Sequence, residues 1–190
     1  TGMSIGASVI ISQLYGAKRN QNMKEVVDTN LIFICLFSFF LMIFGLLYSP
    51  VFLEHLNVPA GLLSDANAYL QTILLGLPFL FAYNTLANVL RGLGDSKTPT
   101  FILISSVFLN VLLDVIFIKI FTYGVIGAAL ATVLAQGFSF VVCLCYMYRY
   151  YPKLAPNLRH LRWKVNILKT SLAIGLPAML QQIFISLGFL

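Results

Sequence analysis

Charge is what this sequence is shortest of. Only 9% of its 190 residues are Asp, Glu, Lys or Arg, while 59% are hydrophobic, and the mean hydropathy is +0.91. Soluble domains carry nearer a quarter charged residues, so the composition excludes a water-soluble globular protein and points to an integral membrane protein. Cysteine is scarce too. Cys35, Cys143 and Cys145 lie in apolar runs with no Cys-x-x-Cys spacing, which excludes a disulfide framework and leaves small apolar packing residues. The two histidines, His55 and His160, fall in different connectors on opposite sides of the membrane, so no metal site is expected. No Ser/His/Asp set, paired carboxylates or ligand cluster is visible. An enzyme is therefore not expected, and no cofactor. No signal peptide is expected. The chain opens at Thr1 and stops at Leu190, each inside an apolar stretch, so a piece of a longer protein is expected.

What the sequence does have is long apolar runs separated by short polar connectors. Residues 31–53, 66–90, 101–118, 125–148 and 170–190 are free of charge but for one residue. The first, at ~1.5 Å per helical residue, is long enough to cross a hydrocarbon core of roughly 30 Å, and all five read as spans. Residues 1–15 are too short to span alone and read as the end of a span that starts upstream. The expected fold is all-α, a polytopic membrane helical bundle with about six spans seen. Gly76 and Pro78 suggest a kink in the third run. Gly2 and Gly6 suggest a close helix contact, as do the ladders Gly127, Ala131, Ala135 and Ala128, Thr132, Gln136, because spacing by four keeps each ladder on one face. Residues 119–124 form so short a connector that a tight hairpin is expected.

The basic residues alternate. Lys18, Arg19 and Lys24 lie in the first connector, Arg91 and Lys97 in the third, and Arg149, Lys153, Arg159, Arg162, Lys164 and Lys169 in the fifth, against Lys119 alone in the even ones. This bias places connectors 16–30, 91–100 and 149–169 in the cytoplasm, as expected of a multi-pass protein of the plasma membrane. It also accounts for the net charge of +6 without nucleic acid. Trp163, among basic residues, reads either as an anchor at anionic lipid headgroups or as part of a solvated linker.

Asp114 is the exception to the charge pattern. A carboxylate near the centre of a membrane helix costs roughly 2.5–3.5 kcal/mol on insertion scales, and such residues usually face a bundle interior or an ion path. Asn110 lies one turn before it on the same face. Asp114 follows Pro99 by ~22 Å of helix, which places it in the outer half of the membrane. Thr132 and Gln136, on the hairpin partner, are positioned to complete a polar pocket. A desolvated carboxylate takes up a proton and gives it up to a neighbouring cation, which is the chemistry of coupled antiport. The alternative is that Asp114 only hydrogen-bonds across helices. Gln13, Asn84 and Asn88 either line a cavity or bond between helices.

Four motifs occur in order: Ser12-Gln13-Leu14-Tyr15-Gly16-Ala17-Lys18; Leu90-Arg91-Gly92-Leu93-Gly94-Asp95-Ser96-Lys97-Thr98-Pro99; Asn110 with Asp114; and Gly124-Val125-Ile126-Gly127-Ala128 through Gln136. The glycine-rich Arg91–Asp95 turn lacks the strand and Walker spacing of a phosphate loop; Arg91 is expected to pair with Asp95 or to cap helix carbonyls, and Gly16 to end a helix. In this order the chain resembles the first half of a multidrug and toxic compound extrusion (MATE) transporter. The resemblance implies twelve helices in two lobes that export cationic or amphipathic compounds in exchange for protons or sodium ions. It implies helices two to six of the first lobe over 1–148, with the first helix missing, an interlobe linker over 149–169, and the start of helix seven over 170–190. Its implied partners are small-molecule cations or amphiphiles, the lipid bilayer and the remainder of its own chain. The 190 residues lack the cavity's second wall and are expected not to transport alone. Rival readings are a flippase for lipid-linked sugars, which calls for basic residues inside the spans, and a non-transporting membrane scaffold.

Overall fold

A computed structural model describes residues 2–17, 20–56, 58–156 and 163–188. The described residues form helices: α1 (Gly2–Gly16), α2 (Asn20–His55), α3 (Ala60–Gly92), α4 (Lys97–Val115) continued by a π-helical turn (Ile116–Ile120), α5 (Gly124–Tyr150) and α6 (Val165–Gly188). Among the described residues, four segments are long and apolar enough to cross a membrane: Asn22–His55, Gly61–Gly92, Lys97–Ile120 and Gly124–Tyr150. Helices are what such sequences must form, because a lipid-exposed peptide group finds hydrogen-bond partners only within its own segment or a closed barrel.

The connectors are shorter than the polarity of the sequence suggests. The helix α2 begins at Asn20, so most of the expected 16–30 connector is helical, and Glu25, Asp28, Thr29 and Asn30 are buried in it. The physical reason is local: residues 20–30 contain neither Gly nor Pro. Met23, Val26, Val27, Ile34 and Asn30 also share a buried stripe at helical spacing. At the far end α2 runs on to His55 and α3 starts at Ala60, absorbing most of the second connector. Pro78 lies inside α3 with the helix continuous on both sides. Lys18, Arg19, Arg159, His160 and Arg162 lie outside the described residues. Trp163 is 45% exposed.

The helix α3 is the hub, packing against α1, α2, α4 and α5. Its Ala82, Tyr83, Leu86, Ala87, Val89 and Leu90 are buried together with Ala7 and Ile11 of α1, the α2 stripe, and Cys143 and Met147 of α5. This core sits toward the basic ends of the helices. The outer surface is inverted relative to a soluble protein. Leu36, Phe37, Phe39, Phe40, Ile43, Phe44 and Leu47 of α2 are all exposed, as lipid-facing positions are. Polar ties cross between helices: Tyr83 Oη donates to the Pro99 carbonyl (2.8 Å), Ser106 Oγ to the Ala135 carbonyl (2.8 Å), and Ser49 Oγ to Asn67 Oδ1 (2.8 Å).

Glycine sets two close approaches. A Cβ at Gly6 would collide with the Ser171 carbonyl oxygen and lie 3.0 Å from the Gly175 nitrogen, so α1 and α6 meet backbone to backbone. A Cβ at Gly92 would lie 2.7 Å from the Ser8 carbonyl oxygen, which brings the end of α3 against α1. The expected hairpin between α4 and α5 is present. Thr122 (φ 55°) and Gly124 (φ 57°) turn the chain in the left-handed region, and a Cβ at Gly127 would come within 3.0 Å of Phe117 Cβ.

The Arg91–Thr98 turn is built differently from expectation. Arg91 Nη1 donates to Asn88 Oδ1 (3.1 Å) rather than pairing with Asp95. The Asp95 carboxylate instead accepts from the Thr98 amide (3.0 Å) and from Tyr146 Oη (3.0 Å), which fastens the start of α4 to α5. Gly94 has φ 90° and closes the turn, as the glycine-rich sequence requires. Burial pushes the Asp95 carboxyl up, but hydrogen bonds from the Thr98 amide and hydroxyl, Tyr146 and the Lys97 amide outweigh it and hold it below the usual carboxylate range.

These contacts set three expectations. Gly6→Leu overfills the α1–α6 contact and lowers stability by about 1–3 kcal/mol. Gly16→Ala, where a Cβ meets nothing within 4 Å, leaves the thermal unfolding of the detergent-purified protein unchanged. Because the Asp95 carboxyl titrates lower in the folded protein than its ordinary 3.8, its stabilising effect is complete above that pH and disappears as pH falls through the folded value. The melting-temperature gap between wild type and Asp95→Asn therefore holds at neutral pH and shrinks under strongly acid conditions.

Candidate cation site

The hairpin places two polar faces together. Asn110 and Asp114 lie one turn apart on α4, and Thr132 and Gln136 one turn apart on α5. The faces touch at Asn110 Nδ2, which donates to Thr132 Oγ1 at 3.4 Å, while the Thr132 hydroxyl donates to the Ala128 carbonyl at 3.0 Å. Small residues make the approach possible: Gly127, Ala131 and Ala135 are buried along the adjoining ladder. Ser106 bonds to the Ala135 carbonyl one turn further toward the basic side.

Two acceptors in this group stand out. Asp114 Oδ1 and Gln136 Oε1 are buried and have no hydrogen-bond partner among the described residues. A buried acceptor without a donor costs about 1–3 kcal/mol, more if charged. Gln136 Oε1 lies against α3, where a Cβ at Gly76 would collide with it and come within 3.0 Å of Val133 Cγ2. The amide is thus held at the α3–α5 contact with its oxygen inside. The helix α4 ends in a π-helical turn that begins two residues after Asp114 and leads into the hairpin. The group offers a carboxylate, two amides and a hydroxyl, an oxygen-rich set suited to a proton or a hard monovalent cation.

The remaining candidates separate from this group. Gln13 is exposed on α1. Asn84 and Asn88 are half-buried, and their amides donate along α3 to the Leu80 and Asn84 carbonyls, both at 2.8 Å, rather than between helices. Gly16 ends α1 and is exposed. Arg91, Gly92, Gly94 and Asp95 form the turn on the basic side, away from Asp114 by the length of α4.

A second polar group was not anticipated. Lys164 Nζ pairs with Glu25 Oε2 at 2.7 Å, the Lys164 amide donates to Thr29 Oγ1 at 3.2 Å, and Asn30 Nδ2 donates to Ser171 Oγ at 3.1 Å. These bonds join α2 to the linker and to α6. The unbroken helical spacing of residues 20–34 carried a signal for burial, but nothing local named partners so distant in sequence.

The MatE family model matches residues 1–116. The probable multidrug resistance protein YoeA of Bacillus subtilis is 33% identical over 194 residues, covering 98% of this chain and 42% of that protein. Two solved structures, an inward-facing and an outward-facing conformation of a multidrug resistance MATE family transporter of the MOP superfamily, each match with a TM-score of 0.86 at 25% identity. They cover 93% and 99% of this chain, and 40% and 42% of theirs. The chain thus spans well under half the length of the proteins it resembles. With the family model over more than half of its residues, the chain belongs to the MATE family of membrane transporters.

Proposed function

We propose that this chain is the first lobe of a secondary antiporter that exports cationic or amphipathic compounds in exchange for protons or sodium ions by alternating access. Residues 1–148 supply helices two to six of that lobe, 149–169 the cytoplasmic interlobe linker, and 170–190 the start of helix seven. The basic connectors face the cytoplasm at the plasma membrane. The single observation that carries the reading is the unpartnered, buried Asp114 Oδ1 beside the Asn110–Thr132 bond between α4 and α5. An ion that binds there supplies the missing donor or positive charge. Its affinity differs between conformations only if the helices hold the four residues differently in each, and that difference sets how far the ion shifts the balance.

Export of cations is favoured over lipid-linked anions by the charge distribution. Lys and Arg stay at helix ends and connectors, so an anionic headgroup finds no basic partner at the depth of Asp114. The likeness of the chain to both an inward-facing and an outward-facing transporter supports a lobe that moves largely as one body, as alternating access by rocking of repeats requires.

Dye efflux tests the coupling role. In drug-sensitive cells expressing the gene that encodes this chain in full, Asp114→Asn is expected to reduce export of a cationic fluorescent dye to background at unchanged membrane expression. Thr132→Val, which removes the hydroxyl that Asn110 bonds, is expected to weaken ion coupling by about 0.5–1.5 kcal/mol, the usual net worth of one such bond. It shifts the dependence of efflux on pH or sodium without abolishing export. Unchanged efflux in Asp114→Asn makes Asp114 a structural residue. The 190 residues alone, with one wall of the cavity, are expected to export no dye.

A further inference from the structure

At the basic end of the bundle a cavity of about 300 Å³ lies where α5 runs out against the end of α1 and the start of α2. Tyr15, Tyr150, Tyr151 and Lys153 are among its walls. Tyr15 and Tyr150 are 53% and 65% exposed, as aromatic residues at a membrane–water boundary are. The turn after α5 gives the cavity a fixed wall: the Leu154 and Ala155 amides both donate to the Tyr151 carbonyl (2.9 and 3.0 Å), and both side chains are buried in the core. The charge nearby is of one sign, since residues 149–169 hold six Lys and Arg and no Asp or Glu. Asp95 is near enough to act on Tyr151, but its carboxylate already accepts from the Thr98 amide and Tyr146 Oη. Burial, and then the Asp95 charge and the Tyr146 and Tyr15 phenols, push the Tyr151 phenol above its ordinary 10, so it keeps its proton and remains a donor.

A groove of about 240 Å³ lies between α4 and α5, with Phe101, Ile102, Phe138, Val142 and Tyr146 among its walls. Ser105 also lines it, but its hydroxyl is spent on the Phe101 carbonyl at 2.9 Å. Tyr146 joins groove and cavity, its ring centroid lying 4.5 Å from that of Tyr150 and 6.3 Å from that of Tyr151. Phe138, Val142, Tyr146 and Tyr150 recur every four residues, so one face of α5 leads from the groove to the cavity.

We propose that the cavity and the groove together form a site for one anionic phospholipid of the leaflet at the basic ends. Its phosphate meets Lys153 and the tyrosine hydroxyls, and an acyl chain lies along the Phe138–Tyr146 face against Phe101 and Ile102. Basic pockets between membrane helices suit such headgroups. A zwitterionic lipid brings an ammonium to Lys153, and a soluble phosphate gains nothing from the groove. The site shares no residue with the Asp114 group and does not depend on the antiport reading.

Native mass spectrometry tests the site, on the detergent-purified product of the gene that encodes this chain, titrated with phosphatidylglycerol or with phosphatidylethanolamine of the same acyl chains. Phosphatidylglycerol is expected to bind more tightly. Lys153→Gln weakens its binding about fivefold, one basic residue's worth at an anionic surface, and leaves phosphatidylethanolamine unchanged. Lys169→Gln, in the same basic connector but on α6, leaves both unchanged. Ser105→Phe fills the groove and weakens both lipids alike. Lys153 and Ser105 are exposed, so these variants are expected to unfold at the wild-type temperature in the absence of lipid. The proposal is overturned if the wild type shows no preference between the two headgroups, or if Lys169→Gln weakens phosphatidylglycerol as much as Lys153→Gln does, which makes the attraction diffuse. It is also overturned if Ser105→Phe has no effect, or if glycerol phosphate displaces the lipid at equal concentration, which makes the cavity a site for a soluble phosphate.

Discussion

In a membrane helix every polar group must find its partner inside the protein, and this chain meets that demand mostly by turning side chains back on their own backbone. Thr72, Asn84, Thr85, Asn88, Ser105, Thr132, Ser139 and Thr170 all donate to the carbonyl four residues earlier. The habit makes polar residues inexpensive to keep in the bundle and leaves most of them without a further role. Against that background Asp114 Oδ1 and Gln136 Oε1 are conspicuous because they are acceptors only. A carboxylate oxygen or amide oxygen cannot satisfy itself on a carbonyl, so it requires a donor or a cation from elsewhere.

The distribution of packing places these acceptors where the bundle is least filled. The apolar core gathers toward the basic ends, from Met23, Val26 and Val27 through Leu86 and Leu90 to Cys143 and Met147. Around Asp114 the contacts are between small residues and a π-helical turn, and Val115, Ile118 and Ile120 are exposed. The apolar core holds the basic end together, and the close contacts between small residues at the other end carry the group proposed to bind the ion.

The sequence made the spans, the alternation of basic connectors, the hairpin and the adjacency of Asn110 to Thr132 legible, because each depends on a short-range period or a single turn. Connector lengths are not legible where polarity and helicity conflict: residues 20–30 are polar yet helical, since nothing in them breaks a helix. Asp95 looked paired with Arg91 because the two are one turn apart. It bonds instead to the nearby Thr98 amide and to Tyr146, which is 51 positions away. The Glu25–Lys164 pair spans 139 positions, and such contacts follow from how helices assemble rather than from any local pattern.

The assembly also constrains how the two polar groups communicate. Among the described helices, α1, α2 and α6 pack on one another, as do α4 and α5, and α3 is the helix that touches both sets. Its two glycine contacts mark the junctions. Gly76 lies against Gln136, one turn from Thr132, and Gly92 lies against the Ser8 carbonyl of α1. At both points α3 meets its neighbour with no side chain of its own between them, so little compliance separates a shift of α5 from a shift of α3. If the proposed ion moves Gln136, that movement bears directly on α3. Because α3 and α1 are in backbone contact at Gly92, and α1 and α6 at Gly6 and Gly175, that movement has a continuous close-packed path from the Asp114 group to the first helix beyond the linker.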